Sequence, residues 1–167
     1  MTLEMTPDEA RDWFDSLAPA AEDQMLGSWR GEEVPTGHPM DGLLAASSWS
    51  GKRFEGPDAV HPLIHQVPVW GERSLNPRFL PLGFITSLPA RDALLRASFP
   101  LLAPLFFTSK PRARLRTIRF RGRDHAAMIY DDKPIHDVFA SIDASSVLGW
   151  MDFKGMAQPY FFKLTRR

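Results

Sequence analysis

The 167-residue chain contains no cysteine, which excludes a disulfide-stapled scaffold, thiol catalysis and a thiolate-held metal. It has no run of about 18 apolar residues, the length a helix needs to cross a bilayer. Residues 1 to 9 show no basic stretch followed by an apolar one, so they do not read as a signal peptide and the expectation is a cytoplasmic protein. Net charge is missing as well, because 20 Lys and Arg balance 20 Asp and Glu. Nucleic-acid-binding domains are more often basic overall, so no nucleic-acid partner is expected. Catalytic signatures are also missing. There is no Gly-x-Ser-x-Gly elbow, no phosphate-cradling glycine loop, no His-Glu-x-x-His and no Gly-x-Gly-x-x-Gly. The sequence therefore assigns no catalytic residue and favours a binding protein over an enzyme.

What is present fits one domain. With 44% hydrophobic residues, a chain of this size should bury roughly 70% of the surface it exposes when unfolded. Charge is unevenly spread: residues 1–24 hold seven acids and one Arg, and residues 110–123 hold seven bases and no acid. Thr6-Pro7-Asp8-Glu9 is a capping box with Pro at the first helical position. The stripe Ala10, Trp13, Phe14 and Leu17 then predicts an amphipathic helix that ends at Pro19. Strands are predicted over 25–34, 49–55 and 60–66, with a helical turn over 41–48. A Pro-rich helical insertion, 67–111, follows this first part, 1–66, and contains a helix near 89–97 and the apolar run 99–107, which can cover a core or line a portal. The last part, 112–167, reads as a five-strand meander over 113–121, 125–131, 134–142, 146–153 and 159–165, because connections this short force antiparallel neighbours. The expected class is mainly β with flanking helices (α+β), with about eight to nine strands, enough to close a barrel around one small ligand.

Three segments carry a family resemblance. Leu26-Gly27-Ser28-Trp29-Arg30-Gly31, Thr36-Gly37-His38-Pro39-Met40-Asp41-Gly42-Leu43-Leu44 and Trp49-Ser50-Gly51-Lys52-Arg53-Phe54 resemble the bacterial and fungal GXWXG family. Residues 128–139, 148–155 and 160–164 are similar to the domain of unknown function that usually accompanies it. At the level of fold, Gly-x-Trp on a first strand is similar to the opening signature of the calycins: lipocalins, fatty-acid-binding proteins and nitrobindins. That resemblance implies a calycin-like antiparallel barrel in which Trp29 plugs one end and a late basic residue, Arg166 or Arg167, packs over its ring.

Period-2 parity then sorts candidate contacts. On 113–121 the apolar side switches midway, so either a bulge resets the phase or Arg119 and Arg121 point inward and need an anionic partner. A fatty-acid carboxylate or lipid phosphate would supply one. The expected function is thus binding of a hydrophobic ligand with an anionic head group in a barrel cavity, contacted by Arg119, Arg121, Tyr130, His136 and Trp150, with His38 at the mouth. Two alternatives stay open. The likeness to nitrobindins implies haem, with His125 or His136 as axial ligand; a small enzyme would use His38 and a nearby Asp. His61 and His65 sit four apart but show no third metal ligand. No resident cofactor is expected otherwise.

Overall fold

The computed structural model describes residues 4–81 and 85–167; residues 82–84 of the expected insertion lie outside them. Helix α1 (Pro7–Ser16) begins with the expected capping box: the Glu9 backbone N–H donates to the Thr6 hydroxyl at 3.2 Å and the Glu9 carboxylate accepts from the Thr6 backbone N–H at 2.8 Å. Two residues, β1 (Ala18–Pro19), and a short helix, α2 (Glu22–Met25), lead into β2 (Gly27–Val34). After α3 (Leu43–Ala46) come β3 (Trp49–Gly56), β4 (Ala59–Val67) and β5 (Gly71–Ser74). Helix α4 (Arg91–Leu102) occupies the insertion. The meander follows as β6 (Ala113–Phe120), β7 (Arg123–Tyr130), β8 (Ile135–Ser141), β9 (Ser146–Phe153) and β10 (Tyr160–Arg166).

All pairings are antiparallel, and the fold is a mainly antiparallel β sheet with a few helices. The strand order is β1-β8-β7-β6-β4-β3-β2-β10-β9, and β8 also pairs with β9, so the path from β8 returns to itself as a ring of pairings. The sheet has ten strands rather than eight or nine. The additions are the two-residue β1, held to β8, and β5, held to β4, both too short to leave a periodic signal.

Alternation splits the sheet between two cores. One face gathers Trp29, Phe54, Met128, Phe139, Met151, Phe162 and Leu164 inside the ring. The other gathers Val34, Ala127, Val138, Ala140, Leu148, Trp150 and Phe161 under α1, which buries Ala10 and Phe14 completely against them. Full burial of one such side chain contributes about 1.5–3 kcal/mol. This double burial explains the parity switch on β6: Ala113 and Leu115 face the inner core, while Ile118 and Phe120 pack under α1. Neither sequence alternative holds, since β6 pairs with β7 in unbroken register from Ala113 to Phe120 and no bulge is needed. The β6–β7 hairpin closes on Arg121 (φ 49°) and Gly122 (φ 81°), the two positive φ values that a tight two-residue turn requires.

The ring is thinnest between β4 and β6, which share one register pair, Val60 with Ala113. Beyond it, β5 takes over the edge of β4. The insertion leaves and returns here: the Asn76 N–H donates to the Phe106 carbonyl at 2.8 Å and the Thr108 N–H to the Ser74 carbonyl at 2.9 Å. Helix α4 packs on α3, and its Phe99 ring lies 5.1 Å from the imidazole of His65 on β4.

Candidate functional site

The GXWXG segment is an architectural device. Trp29 is almost fully buried, its indole N–H donates to the Met25 carbonyl at 2.7 Å, and the Arg166 guanidinium lies 4.4 Å above its ring. A Cβ on Gly31 would come within 2.2 Å of the Trp49 ring, so this glycine is the seat of that indole. At the far end of β2, the Glu33 carboxylate accepts from the backbone N–H groups of Gly42 and Leu44 and from the Tyr160 hydroxyl, at 3.2, 3.0 and 2.7 Å. It thereby fixes the start of α3. The turn before α3 is tied by Asp41, which accepts from the N–H groups of Thr36 and His38 at 3.0 and 2.9 Å.

Helix α3 in turn orients His65. The Ser47 carbonyl lies 2.8 Å from Nδ1 of that imidazole, so Nδ1 carries the proton and Nε2 is left as an acceptor with no partner. His65 is buried, and desolvation lowers its pKa to about 4, so the ring is neutral at physiological pH. It lines a cavity of about 80 Å³ together with Met40, Leu43, Leu63, Leu75 and Phe99. A second cavity, about 240 Å³, lies beneath α4 and shares Leu80, Ile85, Leu95 and Phe99 with the first. Its walls are apolar apart from Arg91 and Ser98. Arg91 is engaged with main chain, donating to the Pro39 carbonyl and, at 2.9 Å, to that of Asp41. Leu94 and Leu102 on its wall are about half exposed, which gives the cavity an apolar mouth.

A buried ion pair crosses the ring. Lys52 Nζ lies 2.9 Å from the Asp137 carboxylate, with 3% and 1% of the two side chains exposed, and donates to the Pro62 carbonyl at 3.1 Å. Phe162, Trp49 and Tyr130 present their rings 5.0, 5.5 and 5.7 Å from the ammonium. Burial pushes the Asp137 carboxyl up against the pull of Lys52. Strands β3 and β8 stand opposite each other in the ring, so this pair and the Phe54–Phe139 contact at 5.8 Å fill the interior at that level. The available space is displaced to the insertion.

The sequence-derived contacts do not converge. Arg119 is 72% exposed and pairs with Asp124 at 3.2 Å, and Arg121 grips Asp15 with two bonds of 2.7 and 2.6 Å. Neither points inward, because β6 has already turned that end of its face to solvent and α1 supplies the acid for Arg121. Arg121 does lie 5.0 Å over Trp150, and both border an outer cleft with Arg11 and Asp152. Tyr130 is inside the ring beside Lys52, whereas His136 is exposed on the opposite face. Three more of the basic run are paired, Arg112, Arg114 and Arg116 with Asp132, Asp131 and Asp58, and Arg123 donates to the Leu17 and Asp15 carbonyls. His38 accepts from the Met40 N–H at 3.0 Å and its Nε2 lies 3.1 Å from the Gln158 carbonyl, so both ring nitrogens are used to hold the turn, and Asp41 bonds backbone rather than this ring. His125 stacks on Phe14 at 5.3 Å with Nδ1 engaged by the Phe139 carbonyl at 2.9 Å. Neither His125 nor His136 lines the cavity, so these residues do not fit an axial haem ligand. His61 lies 3.6 Å from Glu55, and among the described residues no group of three or more His, Asp or Glu gathers as a metal site would need.

Sequence reasoning missed Lys52, its pairing with Asp137 and the role of His65. Asp137 carried a signal, an acid flanked two residues away on both sides by Ile135 and Phe139. Lys52 carried none, because register shifts in β3 on both sides of Gly51 break its parity.

These features define a class: a mainly antiparallel β protein with a buried tryptophan, Trp29, beneath Arg166 on a ring of paired strands, and a helical insertion beside His65. Residues 12–67 match the GXWXG protein family and residues 111–166 match a domain of unknown function, DUF4334. The chain belongs to the GXWXG family with its accompanying C-terminal domain. It is similar to a protein of known crystal structure from Thermomonospora curvata, with 32% identity and a TM-score of 0.74 over 98% of this chain and 89% of that one. None of the curated proteins compared with the chain matches it. No helix among the described residues is long and apolar enough to cross a membrane.

Proposed function

We propose that the ring is a calycin-like barrel and that the protein binds a small hydrophobic ligand in the cavity that its helical insertion forms beneath α4 and that reaches the ring at Leu63 and His65. One observation carries the reading: the two adjoining volumes beneath α4, 240 and 80 Å³, have almost wholly apolar walls and an apolar mouth. A site of this size and lining, with the buried polar residues Ser47 and His65 at its end, has the form of a ligand pocket, for which about 300–1,000 Å³ is usual. The anionic head group expected from Arg119 and Arg121 drops out of the proposal, since both guanidinia are already paired outside the ring. The Arg166–Trp29 stack supports the calycin-like assignment.

The test is a fluorescence titration with Nile red, an uncharged apolar dye, on the wild type and on Leu95→Trp. Leu95 borders both volumes, so a larger side chain there fills them. The wild type should bind saturably and the variant at least tenfold more weakly, with an unchanged far-UV spectrum. Equal binding by the two would refute the site.

A further inference from the structure

His65 lines the inner end of the cavity and carries a buried acceptor with no partner. Around it the wall includes Met40, Leu43, Leu63, Leu75, Phe99 and the small polar Ser47, with the Phe99 ring 5.1 Å from the imidazole. The Ser47 carbonyl takes the Nδ1 proton at 2.8 Å, which leaves the Nε2 lone pair buried and unanswered. A buried acceptor without a donor is costly, and a site built around one discriminates strongly between molecules that supply the missing hydrogen and those that do not. We propose that the cavity selects an apolar molecule with one hydrogen-bond donor, an alcohol or phenol, whose O–H donates to His65 Nε2 while its hydrocarbon part fills the space beneath α4. This rests on the ligand-binding reading above and names its ligand class.

The charge state of the site supports the choice. With its pKa lowered to about 4 by burial, His65 stays neutral at pH 7 and offers a carboxylate no proton. A carboxylate would place two acceptors face to face in an apolar wall. A hydroxyl meets the lone pair directly, and α3, anchored through Glu33, holds the imidazole in the one tautomer that can receive it.

The experiment uses calorimetry at pH 7 with three probes of equal chain: 1-octanol, its methyl ether and octanoate. The ether keeps an oxygen acceptor and loses the donor. One neutral hydrogen bond corresponds to roughly a fivefold change in affinity, so 1-octanol should bind about fivefold more tightly than the ether, and octanoate more weakly than either. In His65→Phe the preference for octanol over ether should vanish while the ether still binds. Because that variant disturbs the contact to Ser47, a second measurement uses the wild type alone: with 15N-labelled histidine, the His65 Nε2 resonance should move on adding octanol and stay in place on adding the ether. Equal affinities with an unmoved resonance overturn the inference and leave the cavity reading standing. Failure of both octanol and ether to bind overturns the cavity reading itself.

Discussion

Replacing Asp137 by Leu should be among the most damaging single changes available in this protein, because it removes the counter-charge of a lysine with only 3% of its side chain exposed. Breaking a buried pair from one side typically costs about 3–5 kcal/mol, since the remaining charge is left uncompensated. Three rings and the Pro62 carbonyl still face Lys52 Nζ, at 5.0 to 5.7 Å and 3.1 Å respectively. They offset part of the loss, so the lower figure, about 3 kcal/mol, is expected. For a chain of this length that corresponds to a fall in Tm of roughly 6–12 °C. The double variant Lys52→Met/Asp137→Leu should recover most of it and lie within about 1 kcal/mol of the wild type, because two apolar side chains of similar volume need no compensation. Lys52→Met alone strands the carboxyl whose pKa burial already raises, and a stranded carboxyl can take up a proton. Its defect should therefore shrink as pH falls from 8 to 5. Urea denaturation of all four proteins gives the coupling energy directly. If the double variant is as unstable as the worse single one, packing rather than charge accounts for the effect and the reasoning fails.

Gly31→Ala should destabilise by about 1–3 kcal/mol, as over-packing does, because its Cβ would meet the Trp49 ring at 2.2 Å. Gly56→Ala, with nothing within 4 Å of the added carbon, is the near-neutral control, and equal thermal shifts for the two would reject the seat assigned to Trp49. Acid should weaken the fold through His65, whose imidazole is held at about 4 when folded against 6.5 unfolded. The unfolded chain takes up the proton first, so this contribution is complete above about pH 6.5 and about 2 kcal/mol of it is lost by pH 5. Denaturation midpoints measured from pH 7.5 to 5 should fall less steeply in His65→Phe than in the wild type; parallel slopes would contradict the burial argument.

Much of the architecture was legible because local chemistry set it. The Thr6–Glu9 box and the short connections of the meander each act within a few residues, and the elements they define lie within two or three residues of their predicted bounds. What failed depended on a partner distant in sequence. The β6 face was misread because one strand face was taken to be wet, whereas α1, about 100 residues earlier, covers it with Phe14. The outward turn of Arg121 follows from the same helix, which supplies Asp15. His65 registered only as a partner four residues from His61 without a third metal ligand, since spacing cannot show that Ser47 fixes the tautomer of one and Glu55 faces the other.

Placement of the motif and of the cavity at opposite ends of β2 separates two tasks that a three-residue signature could otherwise be asked to share. Gly27, Trp29 and Gly31 are all accounted for by packing contacts: Arg166 beside Gly27, the Met25 carbonyl at the Trp29 indole N–H, and the Trp49 ring on Gly31. None is left over for chemistry. At the middle of the ring, Lys52 and Asp137 join opposite strands, and Phe54 meets Phe139, so a ligand cannot thread from the plug toward the far end. The two apolar volumes lie beside His65 on β4 and beneath α4. The signature residues therefore build the scaffold. On the binding reading proposed above, ligand choice falls to segments outside the motif, His65 on β4 and the walls of the insertion.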